Sequence, residues 1–186
     1  MKYILVFFAL YLSSSATAQV PDHIYAPNIH AIKFNVSGNP MAYPIWTVNG
    51  ADRMELHFDD SNGGVRNYSY TYLLCNADWS QVLLSQFDYI QGFSQMRITT
   101  YRVSSIALTK YTHYQAMLPD RSCMPSRSGN YLLKVFSDGD TSKVLFSRRF
   151  LVVKPGVDIA AQIQQPFNGQ FSEPTRKFSS ASTPAG

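Results

Sequence analysis

The sequence has few cysteines and no long apolar segment beyond its N-terminus, and these two features exclude several classes of protein. It has two cysteines and, beyond residue 12, no apolar run of 18 residues. Because a helix needs about 20 apolar residues to span a bilayer, no transmembrane segment is predicted for the mature chain. No C-x-x-C, H-E-x-x-H or G-x-S-x-G motif occurs either, and the four histidines are far apart in sequence. We therefore expect no catalytic residues, no metal site and no cofactor, and a protein that is not an enzyme.

The charge pattern argues against a nucleic-acid partner. The formal net charge is +4, and the basic residues are scattered rather than clustered. Arg148 and Arg149 form the only adjacent basic pair before the C-terminal tail. Nucleic-acid-binding domains concentrate lysine and arginine on one face. The mild basicity is therefore interpreted as a solvated surface, and no nucleic acid is expected as a partner.

The first 18 residues have the pattern of a secretory signal peptide. Lys2 supplies a positive start, Tyr3 to Leu12 is apolar, and Ala16-Thr17-Ala18 is a small-residue cleavage site. The apolar run is too short to cross a bilayer. Residues 1–18 are thus predicted to be a signal peptide, and the mature protein is expected to be exported and to begin at Gln19.

Apolar residues alternate with polar ones nearly throughout residues 19–155, which is the period of a β-strand. Glycine, proline and asparagine clusters separate the alternating segments, as turns require. No long amphipathic helix is evident. The sequence therefore predicts an all-β fold, an immunoglobulin-like β-sandwich of about seven or eight strands. The segments that alternate or are rich in strand-forming residues are 32–36, 53–58, 68–74, 98–103, 114–118, 131–135 and 144–152.

The end of the chain has a different composition. Val157 to Ile163 could form one more strand, but residues 171–186 are rich in serine, threonine, proline and alanine. Such a segment buries too little apolar surface to offset the entropy lost on ordering. Residues 156–186 are accordingly predicted to be the start of a truncated second domain followed by a disordered tail.

The two cysteines, Cys75 and Cys123, allow a single intramolecular disulfide. An exported protein meets an oxidising environment in which such a bridge can form. Neither cysteine lies in a spacing typical of a reactive thiol. The sequence leaves open whether the two are bridged or separate, and in both cases Cys75 is interpreted as structural.

The connection from Asp78 to Phe93 is the strongest candidate for a functional region. It is long for a loop between strands, and long ordered loops are often functional. It contains Trp79, Phe87, Tyr89 and Phe93. Because aromatic residues are enriched at interfaces, these four are candidate partner-binding residues. The alternative is a flap that folds back to close an open end of the sandwich.

Several motifs, taken together and in order, resemble one protein family. The chain is similar to the N-terminal domain of the type IX secretion system plug proteins of Bacteroidetes-type bacteria, from about Tyr25 to Lys154. The segments that carry the resemblance are "FDD" (58–60), "YTYLLCNADW" (70–79), "YIQGF" (89–93), "YTHYQAMLP" (111–119), "SGNYLLKVF" (128–136) and "SRRFLVV" (147–153). The segment around Ser104 to Leu108 departs from the family pattern, and the role of the loop from Ser104 to Lys110 stays open.

The resemblance implies a function that the spacing of residues does not give. Members of this family are exported to the periplasm, associate with a wide outer-membrane β-barrel translocon, and are thought to occlude its periplasmic mouth. We therefore expect a non-enzymatic subunit, peripheral to the outer membrane, whose partner is the translocon. An exported glycan-binding sandwich, with Trp79, Tyr89 and Phe93 as stacking platforms, is the alternative from another functional class.

Overall fold

The computed structural model describes residues 22–105, 108–164 and 177–184, so the predicted signal peptide (1–18) lies outside the described residues. These residues contain 13 strands and one short 3-10 turn, Gln86–Asp88. The strands, in chain order, are β1 (Ile29–Val36), β2 (Ile45–Thr47), β3 (Met54–Asp60), β4 (Tyr68–Cys75), β5 (Ile90–Gly92), β6 (Gln95–Ile98), β7 (Thr100–Val103), β8 (Thr112–Leu118), β9 (Cys123–Pro125), β10 (Gly129–Ser137), β11 (Val144–Val153), β12 (Val157–Gln164) and β13 (Lys177–Pro184).

Nine of these strands form two large sheets. One sheet has four strands in the order β1-β3-β8-β7, and all its neighbours are antiparallel. The other has five strands in the order β2-β11-β10-β4-β6, in which only β2 runs parallel to its neighbour. A small additional sheet joins β5 to β9. The described chain therefore has the all-β fold that the alternation predicts.

The two large sheets face each other across one aromatic core. Phe34 of β1 lies edge-on to Phe150 of β11, with ring centroids 5.8 Å apart. Phe58 of β3 contacts Phe146 of β11 in the same way at 5.2 Å. These edge-to-face pairs suit the negative faces and positive edges of aromatic rings. The fold is thus a sandwich whose inner faces are joined by rings from both sheets.

The two sheets have more strands than the seven or eight expected. The additional ones are short: β2 has three residues, and the region around Ile98 forms both β6 and β7 instead of one strand. Segments of three or four residues are too short to display a period. The immunoglobulin-like detail of the sandwich stays a prediction.

A buried carboxylate joins the end of β3 to the start of β4. Asp60 is fully buried, and it accepts hydrogen bonds from the Tyr68 hydroxyl (2.7 Å), the Asn28 amide (2.7 Å) and the Asn62 N–H (3.0 Å). Burial alone would raise the pKa of Asp60, but these hydrogen bonds and nearby Arg66 outweigh it and lower the pKa. The charged form is thereby held in place and fixes the surrounding turn.

The N-terminal segment of the described chain runs along β11. The Tyr25 N–H donates to the Leu145 carbonyl (2.8 Å), and the Ser147 N–H donates to the His23 carbonyl (2.9 Å). Asp22 accepts hydrogen bonds from the backbone and side chain of Arg149, at 2.7 and 2.6 Å. Because an uncovered strand edge invites pairing with other chains, this segment and β2 together protect the edge of β11.

After the sandwich, β12 and β13 pair antiparallel with each other, from Val157 with Pro184 to Gln164 with Lys177. The predicted disorder of residues 171–186 stays a prediction, and residues 171–176 and 185–186 lie outside the described residues. The predicted division into a sandwich (19–155) and a truncated second domain (156–186) stays a prediction. No helix among the described residues is long and apolar enough to cross a membrane.

Candidate functional site

The connection between β4 and β6 begins with a tight turn that fixes Trp79. The Trp79 N–H donates to the Asn76 carbonyl (3.0 Å), and the Asn76 N–H donates to the Ser80 carbonyl (2.9 Å). Asp78 accepts hydrogen bonds from the Ser80 hydroxyl (2.6 Å) and N–H (3.0 Å), which lower the pKa of this carboxyl. Trp79 itself has φ of 66°, a left-handed conformation that non-glycine residues rarely adopt.

This turn places Trp79 on the outer face of the five-stranded sheet. Its ring packs against a small cluster of Leu73, Cys75 and Leu132, which is separate from the main core. The Arg149 guanidinium lies 5.2 Å from the centroid of the Trp79 ring. Trp79 is therefore a half-buried cover for its own sheet, and only part of it is accessible to a partner.

The middle of the connection enters the main core. Tyr89 is 1% exposed, and its ring lies edge-on to Tyr131 with centroids 6.1 Å apart. Ile90 is buried in the same cluster. The 3-10 turn just before them is closed by the Ser85 N–H, which donates to the Asp88 carboxylate (3.2 Å). The prediction of Tyr89 as a partner-binding residue is therefore wrong, because its ring is packed inside the main core and is not accessible to a partner.

Gly92 determines how the connection leaves the core. Its φ is 92°, and a Cβ at this position would lie 2.2 Å from the Ser122 carbonyl oxygen. The Phe93 N–H donates to that same oxygen at 2.6 Å. Only glycine combines this conformation with so close a backbone approach. The glycine of "YIQGF" thus ties the connection to β9 and directs Phe93 away from the core.

Other apolar side chains of the same connection remain exposed. Phe87 is 82% exposed and Phe93 is 65% exposed. Leu83 and Leu84 are exposed as well. The four residues Leu83, Leu84, Phe87 and Phe93 are called the exposed apolar set below. Within the connection, Tyr89 and Ile90 are therefore buried in the main core and the exposed apolar set is not, so the choice between a partner-binding loop and a closing flap stays a prediction.

The two cysteines are free thiols that lie on different sides of the five-stranded sheet. Cys75 belongs to the outer cluster under Trp79, and its Sγ donates to the Leu73 carbonyl (3.6 Å). Cys123 belongs to the main core. Burial raises the pKa of Cys75 to about 11 and that of Cys123 to about 12. Both thiols are therefore protonated at neutral pH, which disfavours nucleophilic chemistry.

Two histidines that are distant in sequence meet on the outer face of the four-stranded sheet. His57 of β3 and His113 of β8 approach each other with ring nitrogens 3.2 Å apart. Strand alternation places both on a polar face, but the pairing of β3 with β8 cannot be seen in the sequence. Within the described residues, no group of three or more histidine, cysteine, aspartate or glutamate side chains is arranged to hold a metal ion.

Comparison with known proteins identifies the family. Residues 29–154 match the model of the first domain of type 9 secretion system plug proteins. Because this match covers more than half of the chain, the protein belongs to that family. Its membership relates the chain to the type 9 secretion system, as the motifs in "YTYLLCNADW" and "YIQGF" predict.

A solved structure shares the fold. A hypothetical protein from Parabacteroides merdae is 30% identical and superimposes with a TM-score of 0.70. The match covers 78% of this chain and 37% of that protein, so the chain spans well under half of its relative's length. The Pseudomonas fluorescens alkylpurine DNA glycosylase AlkC, bound to DNA containing an abasic site analog, is 11% identical with a TM-score of 0.33. That match covers 67% of this chain and 30% of AlkC, and its low score carries no argument. No curated protein matches the chain.

Proposed function

We propose that the protein is a non-enzymatic periplasmic subunit of the type 9 secretion system, which docks on the outer-membrane translocon and occludes it. The observation that carries the proposal is the family match over residues 29–154. A plug has to be exported and has to present a rigid binding surface. The predicted signal peptide and the sandwich fit these two requirements.

The exposed apolar set supports docking through the connection between β4 and β6. Interfaces are enriched in aromatic side chains, and a few of these carry most of the binding energy. Phe87 and Phe93 are the exposed aromatic residues here, on either side of the buried pair Tyr89–Ile90. Because that pair anchors the connection in the core, little ordering entropy is lost on binding. Phe87 and Phe93 are the proposed anchors, and Trp79 contributes its exposed edge.

Photo-crosslinking in the native bacterium tests the docking surface. The full natural protein would carry p-benzoylphenylalanine at position 87, at position 93 or, as the matched control, at Met41. Met41 is 93% exposed but lies outside the connection. We expect crosslinks to a very large β-barrel protein from positions 87 and 93, and much weaker ones from position 41. Equal crosslinking from all three positions would argue against the connection as the docking surface.

A pull-down with the full-length protein tests the partner itself. The expected result is recovery of the outer-membrane translocon, reduced at least tenfold in the double variant Phe87→Asp/Phe93→Asp. Met41→Asp should recover as much as the wild type. If a folded wild-type protein recovers no β-barrel protein but binds oligosaccharides, the plug function is wrong and the glycan-binding alternative replaces it. That alternative has already lost one stacking platform, because Tyr89 is buried.

Dye entry into intact cells tests occlusion separately from docking. A small dye should enter the periplasm of cells that lack the protein faster than that of wild-type cells. Complementation should restore the slower rate of entry. A protein that docks without occluding would crosslink normally yet leave dye entry unchanged. The two parts of the proposal therefore fail in different experiments.

A further inference from the structure

Four polar side chains form a row on the outer face of the four-stranded sheet. The row consists of Glu55, His57, His113 and Asp59. Glu55, His57 and Asp59 alternate with the buried core residues of β3, and His113 lies beside them on β8. The four side chains are between about a quarter and two fifths exposed, so they are held by neighbours yet reachable from solvent.

Each imidazole in the row has a carboxylate at one nitrogen and the other imidazole at its second nitrogen. His113 Nδ1 lies 2.6 Å from Asp59 Oδ1, and His57 Nε2 lies 3.5 Å from Glu55 Oε2. The two remaining nitrogens, His57 Nδ1 and His113 Nε2, are 3.2 Å apart. Glu55 is in turn fixed by a hydrogen bond from the Ser37 hydroxyl, which is the main cause of its lowered pKa.

When both imidazoles are neutral, one nitrogen lone pair is forced to face a carboxylate, which is unfavourable. His113 donates Nδ1–H to Asp59, so its Nε2 carries a lone pair. His57 then has to donate Nδ1–H to that lone pair, which turns its own Nε2 lone pair toward the Glu55 carboxylate. A cation between the two rings removes the conflict, because each imidazole can then give its remaining N–H to its own carboxylate.

We propose that His57 Nδ1 and His113 Nε2 bind one divalent transition-metal ion of the zinc, copper or nickel type. Histidine ligands in metal sites almost always donate their other N–H to a carboxylate, which both histidines have here. Two nitrogens on one tetrahedral zinc ion, with bonds of about 2.0–2.1 Å, are roughly 3.3 Å apart. The observed 3.2 Å is close to that separation, so rotation of the two rings out of their head-on contact, with centroids 5.3 Å apart, would direct both lone pairs to one ion.

The surroundings of the row suit a partly hydrated ion. A groove of about 440 Å³ lies beside it, lined by Asp59, Tyr101, Arg102 and His113 among others. The groove gives room for the water molecules that complete the coordination. Lys33 lies across from His57 and Arg102 lies across from His113 in the strand register. The two carboxylates of the row offset the charge of these two cations near the proposed ion.

Calorimetric titration of the mature full-length protein with Zn²⁺ and with Cu²⁺ tests the site. The protein has to be purified with an affinity tag that contains no histidine. We expect saturable binding of one ion per chain, lost in His57→Gln and in His113→Gln and unchanged in His23→Gln. Because His23 lies near β11, in the other sheet, it is a matched control. Asp59→Asn should weaken binding about 10- to 100-fold, because it removes the carboxylate that orients His113 and leaves the partner of His57 unchanged.

A measurement on the wild-type protein makes the result independent of the variants' folding. Cu²⁺ should broaden the NMR signals of His57 and His113 at a concentration that leaves His23 unaffected. No saturable heat, or binding that His113→Gln retains, would overturn the proposal. In that case the row holds a shared proton in place of a metal. Neither result bears on docking, because the exposed apolar set lies in the connection between β4 and β6.

Discussion

The two outer faces of the sandwich differ, although both sheets consist mainly of antiparallel strands. On the four-stranded sheet, β3 alternates strictly between buried and half-buried residues, and its outer face carries the row from Glu55 to Asp59. On the five-stranded sheet, β4 is buried on both faces from Tyr70 to Cys75. The difference arises because Trp79 and Arg149 cover one outer face, whereas water reaches the other.

The comparison shows that a sandwich can carry a second, smaller core outside its main one. Leu132 is 1% exposed even though it points away from the main core. Its cover is supplied by Trp79 in the turn that follows β4 and by the neighbouring Arg149, which donates hydrogen bonds to the Asp22 carboxylate. One outer face therefore contributes to stability by apolar burial, and the other is left free for polar chemistry.

Truncating the covered face should have the largest effect. Leu132→Ala removes a fully buried side chain and leaves a cavity under Trp79, so we expect a loss of about 2–4 kcal/mol in the free energy of unfolding. Met117→Ala is the matched change on the other outer face, where Met117 is exposed. It should cost less than about 0.5 kcal/mol. Urea denaturation measures both, and similar losses would contradict the distinction between the faces.

The sequence predicts burial on the outer face of the four-stranded sheet better than on the covered outer face of the five-stranded sheet. Alternation in β3 reveals both its strand and its polar side, because burial there follows the pleat alone. In β4, the same reasoning identifies Tyr70, Tyr72 and Leu74 as core-facing. It does not show that Leu73 and Cys75 are buried too, because their cover comes from Trp79 and from Arg149, which is 70 positions further along the chain.

The candidate site is likewise predictable from the sequence only in part. The length and aromatic content of the connection predict an ordered, functional loop. Phe87 and Phe93 are exposed, and their role in binding stays a prediction. The burial of Tyr89 depends on its packing against Tyr131 in the core, and the meeting of His57 with His113 depends on which strands pair. Both are consequences of the tertiary fold, which no local pattern in the sequence encodes.

Removing the aromatic cover should expose the thiol beneath it. Trp79→Ala deletes the ring over Cys75 and its contact with Arg149, at an expected cost of about 1–3 kcal/mol. Because burial is what raises the pKa of Cys75, its reaction with iodoacetamide should become at least tenfold faster. Mass spectrometry of labelled native protein gives the rate. Phe87→Ala, from the exposed part of the same connection, should change neither quantity, and equal labelling of both variants would show that Trp79 is not the cover.

A charge on the covered face should be unfavourable. Burial lowers the pKa of Lys134, which lies on the same outer face as Leu132 two residues away. We therefore expect Lys134→Met to stabilise the protein by about 0.5–1 kcal/mol at neutral pH. The gain should shrink as the pH rises toward the ordinary lysine pKa, because the wild-type folded protein loses its proton before the unfolded chain does. Lys33→Met, on the exposed face, should give no comparable gain in thermal denaturation.

The smallest change in the free energy of unfolding should come from the outer face of the four-stranded sheet, and it should depend on pH. The Ser37 hydroxyl is the main cause of the lowered pKa of Glu55. A carboxyl whose pKa is lowered in the folded state adds stability above its unfolded value of 4.5, and that stability is lost as the pH falls through the folded value. Ser37→Ala should therefore cost up to about 0.5 kcal/mol at pH 6, since the group is partly exposed. The difference from the wild type should shrink as the pH falls below 4.5. Urea denaturation at several pH values measures it, and a difference that stays constant down to pH 3 would mean that Ser37 acts through packing and not through the Glu55 charge.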